Sequence, residues 1–277
     1  MPVIAMTQEM GSLARDVAQQ LAADMQLNDL RHEVLEHVAD KMHVPQSLIS
    51  RLREGKAGLV ERFTTDADSL AVYTAEEVFS QAERGNVVIR GWGATCLLRA
   101  VPHVPCVRIT RPLQKRVEWL MEHLQTDDAG FAGAEIHRSD TAHAARMHQL
   151  FGVTWGDPVL YDLVINADRV SVASCVAQIR ALCGRPEFNE TVQSRAMLTR
   201  LAMEARVRSA LKANAQTRAV NVTIEAQPGQ VVLSGIVLNE AERSAAAGVA
   251  AQVAGVSSVD NQLRLMAGSK LFTSAKY

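Results

Sequence analysis

Aromatic residues, net charge, paired cysteines and long apolar runs are all scarce in this sequence of 277 residues. Phe, Trp and Tyr make up 4% of the chain, so it has few of the rings on which a single-stranded nucleic acid stacks. With 29 Lys and Arg against 30 Asp and Glu, the net charge of -1 provides no general attraction to nucleic acid or to an anionic membrane. We therefore expect no nucleic acid among the partners.

The unpaired cysteines and the lack of long apolar runs indicate the cellular compartment of the protein. No two of the four cysteines form a CxxC pair, and their mostly apolar neighbours are typical of buried thiols in a reducing environment. No apolar run has the length of a membrane span, and the first residues lack the basic and then apolar pattern of a secretory signal. These observations favour a cytoplasmic protein without a transmembrane segment.

The first 20 residues carry the most informative pattern. Val3, Ile4 and Met6 indicate a short buried strand, and apolar residues that recur every fourth position from Leu13 to Met25 indicate a helix. Gly11 lies between them. A strand that leads through glycine into a helix directs backbone N–H groups and the positive end of the helix dipole at one point, which suits an anion. The alternative is an ordinary strand, turn and helix at the start of an α/β domain, because no Lys and hydroxyl pair follows the glycine.

Strands alternate with helices through about residue 184. We predict strands at 87–89, 104–109 and 161–166, and helices at 30–42, 70–83, 134–150 and 172–182. Such alternation favours an α/β fold in which helices cover both faces of a mostly parallel sheet. Residues 50–68 are polar and basic, which is typical of either a mobile lid or a solvated helix surface.

The histidines of the second helix do not predict a metal site. His32 and His37 flank Glu33, but a spacing of five residues separates two side chains by about 140° around a helix. We assign no metal-ligating residues.

Two longer motifs, VVIRGWGA and TWGDPVLYDLVINADRVS, make residues 1–184 similar to the cytidylate kinase-like family of P-loop nucleoside monophosphate kinases. The resemblance implies a phosphate loop for the donor nucleotide, an arginine-rich lid helix, and further Arg and Asp residues for an acceptor monophosphate. It also implies ATP and Mg²⁺ as cofactors. Both motifs lie in the part of the chain where strands and helices alternate.

The resemblance assigns roles to particular residues. Gly11, Ser12 and Arg15 match the phosphate loop, and Arg116 matches an arginine on the helix that follows Pro112; these are the expected cofactor-binding residues. In the lid helix, the expected catalytic residues are Arg138, Asp140 and Arg146.

Other positions depart from the family pattern. Leu13 and Ala14 replace two glycines of the loop, and Arg31 stands where an acceptor-site Asp is usual, with Asp29 two residues too early. Trp92 replaces an arginine of the acceptor site, where it either stacks on a base or packs under the lid, and His143 replaces an arginine of the lid. Because phosphoryl transfer depends on positioning and on cancelling negative charge, these exchanges predict slow or absent transfer.

Three hypotheses about function remain open. The first is a nucleotide-binding sensor or scaffold, an inactive or weak kinase. The second is an active CMP-type kinase that transfers phosphate from ATP, with the missing charges supplied by Arg51, Arg53, Arg90 or Arg146. The third is a structural protein that binds no ligand.

The remaining chain predicts a second domain. Residues 185–194 have the composition of a linker, residues 195–266 predict an αββαβ unit, and the tail 267–277 is small and polar. VVLSGIV and AGVSSVDNQLRL, with Gly235 and Gly255, make this unit similar to the BON domain. That resemblance implies recognition of a protein partner or a phospholipid, whereas the arginines of the first helix fit a solvated surface equally well.

Overall fold

The structure is a computed structural model, and it describes residues 1–7, 9–30, 32–58, 60–61 and 66–266, except for the side chains of residues 32 and 33. Three predictions concern residues outside this range. They are the replacement of an acceptor-site Asp by Arg31, part of the polar and basic segment 50–68, and the tail 267–277.

Five parallel strands form the sheet of the first domain. They are β1 (Val3–Met6), β2 (Asn28–Leu30), β3 (Val87–Arg90), β4 (Cys106–Thr110) and β5 (Leu163–Asn166). Their order is β2-β3-β1-β4-β5, with every neighbouring pair parallel. β1 therefore lies at the centre, between β3 and β4, and its carboxyl end opens between theirs. The predicted parallel α/β sheet is confirmed.

Helices cover both faces of this sheet. They are α1 (Ala14–Met25), α2 (His32–Met42), α3 (Gln46–Arg53), α4 (Ala67–Arg84), the short α5 (Ala94–Leu97), α6 (Leu113–Leu124), α7 (Ala129–Phe151) and α8 (Val172–Cys183). On one face α1 and α8 contribute Val17 and Ile179 to a core beneath β1 and β4. On the other face α2 and α4 contribute Val34 and Val78. Each helix buries one apolar stripe, as the predicted periodicity requires.

Among the boundaries that differ from the sequence prediction, two have a direct structural reason. Leu30 lies in β2, where it pairs with Ile89, so the second helix begins only at residue 32. The lid helix α7 begins at residue 129 rather than 134, because the Asp128 carboxylate accepts a hydrogen bond from the Phe131 N–H and caps the helix. Capping by a side chain thus extends this helix by more than one turn.

A single long helix, α9 (Val192–Ala213), crosses the predicted boundary at residue 194. Leu198 and Ala202, in its first half, are buried in the core of the first domain with residues of α4. Val207 and Leu211, in its second half, are buried in the core of the C-terminal unit. The division into domains stays a prediction, but this helix belongs to both hydrophobic cores.

The C-terminal unit continues with β6 (Thr223–Gln227), β7 (Gln230–Val237), α10 (Glu240–Ala251) and β8 (Ser258–Leu265). β7 lies at the centre, antiparallel to β6 and parallel to β8. With the second half of α9 this gives the predicted αββαβ order, in which Gly229, at φ 74°, forms the turn between β6 and β7. Among the described helices, none combines the length and the apolar character needed to cross a membrane.

Candidate functional site

Two residues of the loop between β1 and α1, the predicted phosphate loop, have left-handed backbone conformations. Gly11 has φ 75°, and a Cβ atom at this position would lie 3.1 Å from the Cα of Arg116, so only glycine fits without strain. Leu13 has φ 66° and is the residue that precedes the helix. A left-handed conformation costs a non-glycine residue about 1–3 kcal/mol, so Leu13 occupies a backbone conformation that favours glycine.

The Ser12 hydroxyl is turned into the loop itself. It is completely buried and donates a hydrogen bond to the backbone oxygen of Glu9 at 2.8 Å. Ser12 therefore supports the shape of the loop, and its hydroxyl is committed to this contact.

Arg116 and Asp140 are brought together, but as an ion pair behind the loop. The guanidinium of Arg116 donates to both carboxylate oxygens of Asp140, at 2.9 and 2.7 Å, and to the backbone oxygen of Met10 at 2.6 Å. Arg116 is only 4% exposed. Both residues are predicted to act on the nucleotide, which stays a prediction; in the structure Arg116 forms a strut between the phosphate loop and the lid helix.

Two residues that the sequence analysis missed complete this strut. Glu9 is buried, and one of its carboxylate oxygens accepts from Arg116 at 3.3 Å and from Arg108 at 3.2 Å. Burial raises the pKa of the Glu9 carboxyl, and the two neighbouring guanidinium groups oppose that rise. Arg108 also donates to the backbone oxygen of Trp155. In the sequence, Arg108 could have been recognised by its position inside a predicted buried strand, because a charge buried there without a partner is costly.

The two arginines of the lid helix contact the carboxyl end of α3 and the residue that follows it. Arg138 forms an ion pair with Glu135 at 2.6 Å and donates to the backbone oxygen of Glu54. Arg146 donates through Nη2 to the backbone oxygens of Leu52 and Arg53, both at 2.8 Å. The lid helix is thereby fastened to the end of α3.

His143 lies close to three arginines. Burial, followed by the charges of Arg146, Arg53 and Arg108, lowers the pKa of His143 to about 3. Its ring packs on Trp155, with 4.3 Å between the ring centroids. The position at which a lid arginine was expected is thus uncharged near neutral pH, and the positive charge comes from the three arginines around it.

The predicted acceptor side carries a different set of contacts. Arg90 donates to both carboxylate oxygens of Asp29, at 2.8 and 3.0 Å. Trp92 is 7% exposed, and the guanidinium carbon of Arg53 lies 3.4 Å from its ring centroid. Because a cation covers this ring, the structure favours packing over base stacking for Trp92.

A cleft of about 290 Å³ opens between the phosphate loop and the lid helix. Its charged side chains are Arg15, Arg53, Arg90 and Arg146, together with Glu9, Asp16 and Glu54. Arg15 is exposed and forms no ion pair within the described chain. Of the predicted site residues, Gly11, Arg15 and Arg146 line this phosphate cleft, whereas Ser12, Arg116, Asp140 and Arg138 do not. A groove with four guanidinium groups at a helix N-terminus can bind a phosphate group.

Comparison with known proteins identifies the family and the fold. Residues 3–169 match the cytidylate kinase-like family and residues 201–267 match the BON domain, so both resemblances are confirmed. No curated protein matches the chain. An uncharacterized protein from Eubacterium ventriosum, 20% identical, superposes with a TM-score of 0.53 over 67% of this chain and 100% of that chain. A shikimate kinase from Bacteroides thetaiotaomicron, 14% identical, gives a TM-score of 0.44 over 65% of this chain and 97% of that chain.

Proposed function

Because the chain belongs to the cytidylate kinase-like family, we propose that it binds the phosphate groups of a nucleotide in the phosphate cleft and transfers phosphoryl groups slowly or not at all. The observation that carries this proposal is the convergence of four arginines at the amino-terminal end of α1.

Phosphate binding is supported by groups that still point into the cleft. The first-turn N–H groups of a helix have no partner within the helix, so those of α1 are placed to donate to an anion. Arg15 is exposed beside them, and within the described chain its guanidinium forms no ion pair. Arg15 is therefore the residue from which we expect the largest contribution to nucleotide affinity.

Slow transfer is supported by cations that are already engaged. Arg116 pairs with Asp140 and Arg90 pairs with Asp29, both through two hydrogen bonds. His143 is held neutral. A single transition-state arginine contributes a factor of about 10³ or more to phosphoryl transfer, so engaged or absent cations predict a large loss of rate.

The residues fit ATP better than they fit its metal ion. A P-loop usually provides a hydroxyl to Mg²⁺, but the Ser12 hydroxyl donates to Glu9 and is buried. Asp16, in the first turn of α1, is the exposed carboxylate that lines the cleft. Mg²⁺ commonly binds through one or two carboxylates and substrate phosphates, so Asp16 would hold it beside the phosphate oxygens.

A working kinase is the second candidate, and one observation favours it. Three of the four arginines proposed as replacements, Arg53, Arg90 and Arg146, line the cleft. The fourth, Arg51, pairs with Glu61 instead. If ligand binding releases Arg90 from Asp29, the cleft regains a cation near an acceptor phosphate.

Isothermal titration with ATP and CMP, with and without Mg²⁺, tests binding. We expect Arg15→Ala to weaken nucleotide binding tenfold or more, whereas Arg180→Ala, on the exposed surface of α8, serves as the matched control. Equal affinity of both variants, or no heat with any nucleotide, contradicts the proposal.

Turnover is measured separately with labelled ATP and a panel of nucleoside monophosphates. We expect little or no labelled diphosphate. Rapid turnover that disappears in Arg146→Ala would establish the kinase alternative instead.

We propose that the BON domain provides the contact to a protein partner or a phospholipid. Ile236 and Leu238, at 42% and 62% exposure, lie at the end of β7 and just beyond it. Flotation of the full chain with anionic vesicles tests the phospholipid: co-flotation that persists at high salt supports it, and recovery only in the bottom fraction excludes it.

A further inference from the structure

A second cavity, of about 410 Å³, lies beside the phosphate cleft, between α4, the carboxyl end of α7 and residues 92–97. Most of its lining is apolar, including Leu70, Ala71, Leu97, Met147, Leu150 and Phe151. We refer to it as the apolar cavity. Its volume is within the range of small-molecule sites.

The charged side chains of the apolar cavity are all positive. They are Arg53, Arg146 and Arg208, and no carboxylate lines the cavity among the described residues. This differs from the phosphate cleft, in which three carboxylates accompany the arginines. An apolar chamber with only cationic groups is electrostatically complementary to an apolar anion.

The two spaces meet at shared residues. Arg53, His143 and Arg146 line both the apolar cavity and the phosphate cleft. A molecule in the apolar cavity can therefore place one end among the same guanidinium groups that face the cleft.

The guanidinium group of Arg146 has N–H groups that can donate hydrogen bonds to the anionic end of such a molecule. Its Nη2 donates to two backbone oxygens, whereas no described group accepts a hydrogen bond from Nε or Nη1. Burial lowers the pKa of Arg146, which reflects the cost of a charge removed from water, although arginine stays protonated at physiological pH. An anion at this position would offset that cost.

The neutral groups of the apolar cavity are poor partners for a nucleobase. Thr74 and Gln149 are its uncharged polar side chains apart from His143, among the described residues. A site selects a base through several hydrogen bonds, and a buried base without partners loses the ones it made to water. The lining thus favours an aliphatic body over a heterocycle.

We propose that the apolar cavity binds an aliphatic phosphate monoester, with its chain among α4 and α7 and its phosphate at Arg53 and Arg146. This deepens the proposed function by naming the class of the second phosphate-bearing ligand, and it depends on that function only through the two shared arginines.

Decyl phosphate is the probe, titrated calorimetrically into the full chain below its micellar concentration, with decanol and inorganic phosphate as its two halves. We expect saturable binding of decyl phosphate at micromolar concentration, at least tenfold tighter than any binding of inorganic phosphate, and no measurable binding of decanol. Equal binding of decanol, or no binding of decyl phosphate, would overturn the proposal.

Two variants locate the site. Ala71→Phe fills the apolar cavity, and Ala181→Phe, exposed on α8, is its matched control. Gln149→Glu adds a carboxylate at an exposed lining position and places no new bulk in a core. We expect Ala71→Phe and Gln149→Glu each to weaken decyl phosphate binding tenfold or more, and Ala181→Phe to leave it unchanged. Unchanged affinity in Gln149→Glu contradicts the site even if Ala71→Phe fails to fold.

The two proposals fail separately. If Arg15→Ala and wild type show no nucleotide binding while decyl phosphate binding is still lost in Gln149→Glu, only the proposed nucleotide function is wrong. If nucleotides bind in an Arg15-dependent way and decyl phosphate does not, only the apolar cavity is wrongly assigned.

Discussion

Two arginines near the phosphate loop show how environment decides a role. Arg15 is exposed on the first turn of α1, whereas Arg116 is buried and contacts Glu9, Met10 and Asp140. An exposed charge interacts weakly with its neighbours because water screens it, and a buried one is held by several hydrogen bonds. The two side chains are therefore expected to serve binding and stability, respectively.

Replacement of these two residues separates the roles. We expect Arg116→Met to lower the free energy of unfolding by about 3 kcal/mol, because the buried Glu9 carboxylate loses one of its two guanidinium partners and the partly exposed Asp140 loses its own. We expect Arg15→Met to change it by less than about 0.5 kcal/mol. Urea denaturation followed by circular dichroism gives both values, and similar stability of the two variants would show that Arg116 is not a strut.

His143 makes the stability of the protein depend on pH. The pKa of His143 in the folded protein is about 3, below its ordinary value of 6.5, so the unfolded chain takes up the proton first as the pH falls. The contribution is fully present above pH 6.5 and decreases toward pH 3. At about 1.4 kcal/mol per pH unit, the wild type loses up to about 2 kcal/mol from this residue between pH 6.5 and 5.

Denaturation at several pH values measures this loss. We expect His143→Gln to show a smaller decrease in the free energy of unfolding between pH 6.5 and 5 than wild type. His148→Gln, exposed on the same helix, is the control and should follow the wild-type curve. Parallel curves for wild type and His143→Gln would mean that the pKa of His143 is the same in the folded and the unfolded protein.

At the scale of elements, α9 differs from an ordinary amphipathic helix. Its buried residues lie on more than one side, since Leu198 and Ala202 face the first core and Val207 and Leu211 face the second. A helix that is buried on two sides has no single apolar stripe. This is why the sequence pattern here predicted a helix but not its two partners.

Truncation of buried side chains in α9 tests this arrangement. We expect Leu198→Ala to lower the free energy of unfolding by about 2–5 kcal/mol and to speed hydrogen exchange in α4. We expect Val207→Ala to speed exchange mainly in β7. Arg200→Ala, exposed on the same helix, is the control for both. Fast exchange confined to the C-terminal unit in Leu198→Ala would contradict the shared helix.

At the scale of the whole molecule, polar contacts reinforce this shared helix. Arg206 on α9 pairs with Glu83 on α4 at 2.6 Å, and Lys212 pairs with Asp66 at 3.2 Å. The Ser209 hydroxyl lies 3.0 Å from the ammonium group of Lys41 on α2. The C-terminal unit is thus attached through a packed interface as well as through the chain.

Calorimetry shows whether the two units unfold together. We expect one thermal transition whose calorimetric and van't Hoff enthalpies agree, because neither core is complete without α9. Two resolved transitions, one of which is unaffected by Leu198→Ala, would show that the C-terminal unit folds independently.

The sequence by itself determined the local features. Apolar residues at strand and helix spacing predicted the parallel sheet, the αββαβ unit and the loop at Gly11, because these patterns depend on neighbours within one turn or one strand. The two long motifs gave the family resemblance. The resemblance also located the departures from the family pattern at Leu13, Trp92 and His143.

Only the tertiary structure decided which charges pair with one another. Glu9 reaches Arg108 because β1 and β4 are neighbours in the sheet, although 99 residues separate the two in the chain. The same holds for Arg116 with Asp140 and for the arginines that meet in the apolar cavity. A guanidinium group that meets a carboxylate becomes part of the framework, and whether it does so depends on distances through space.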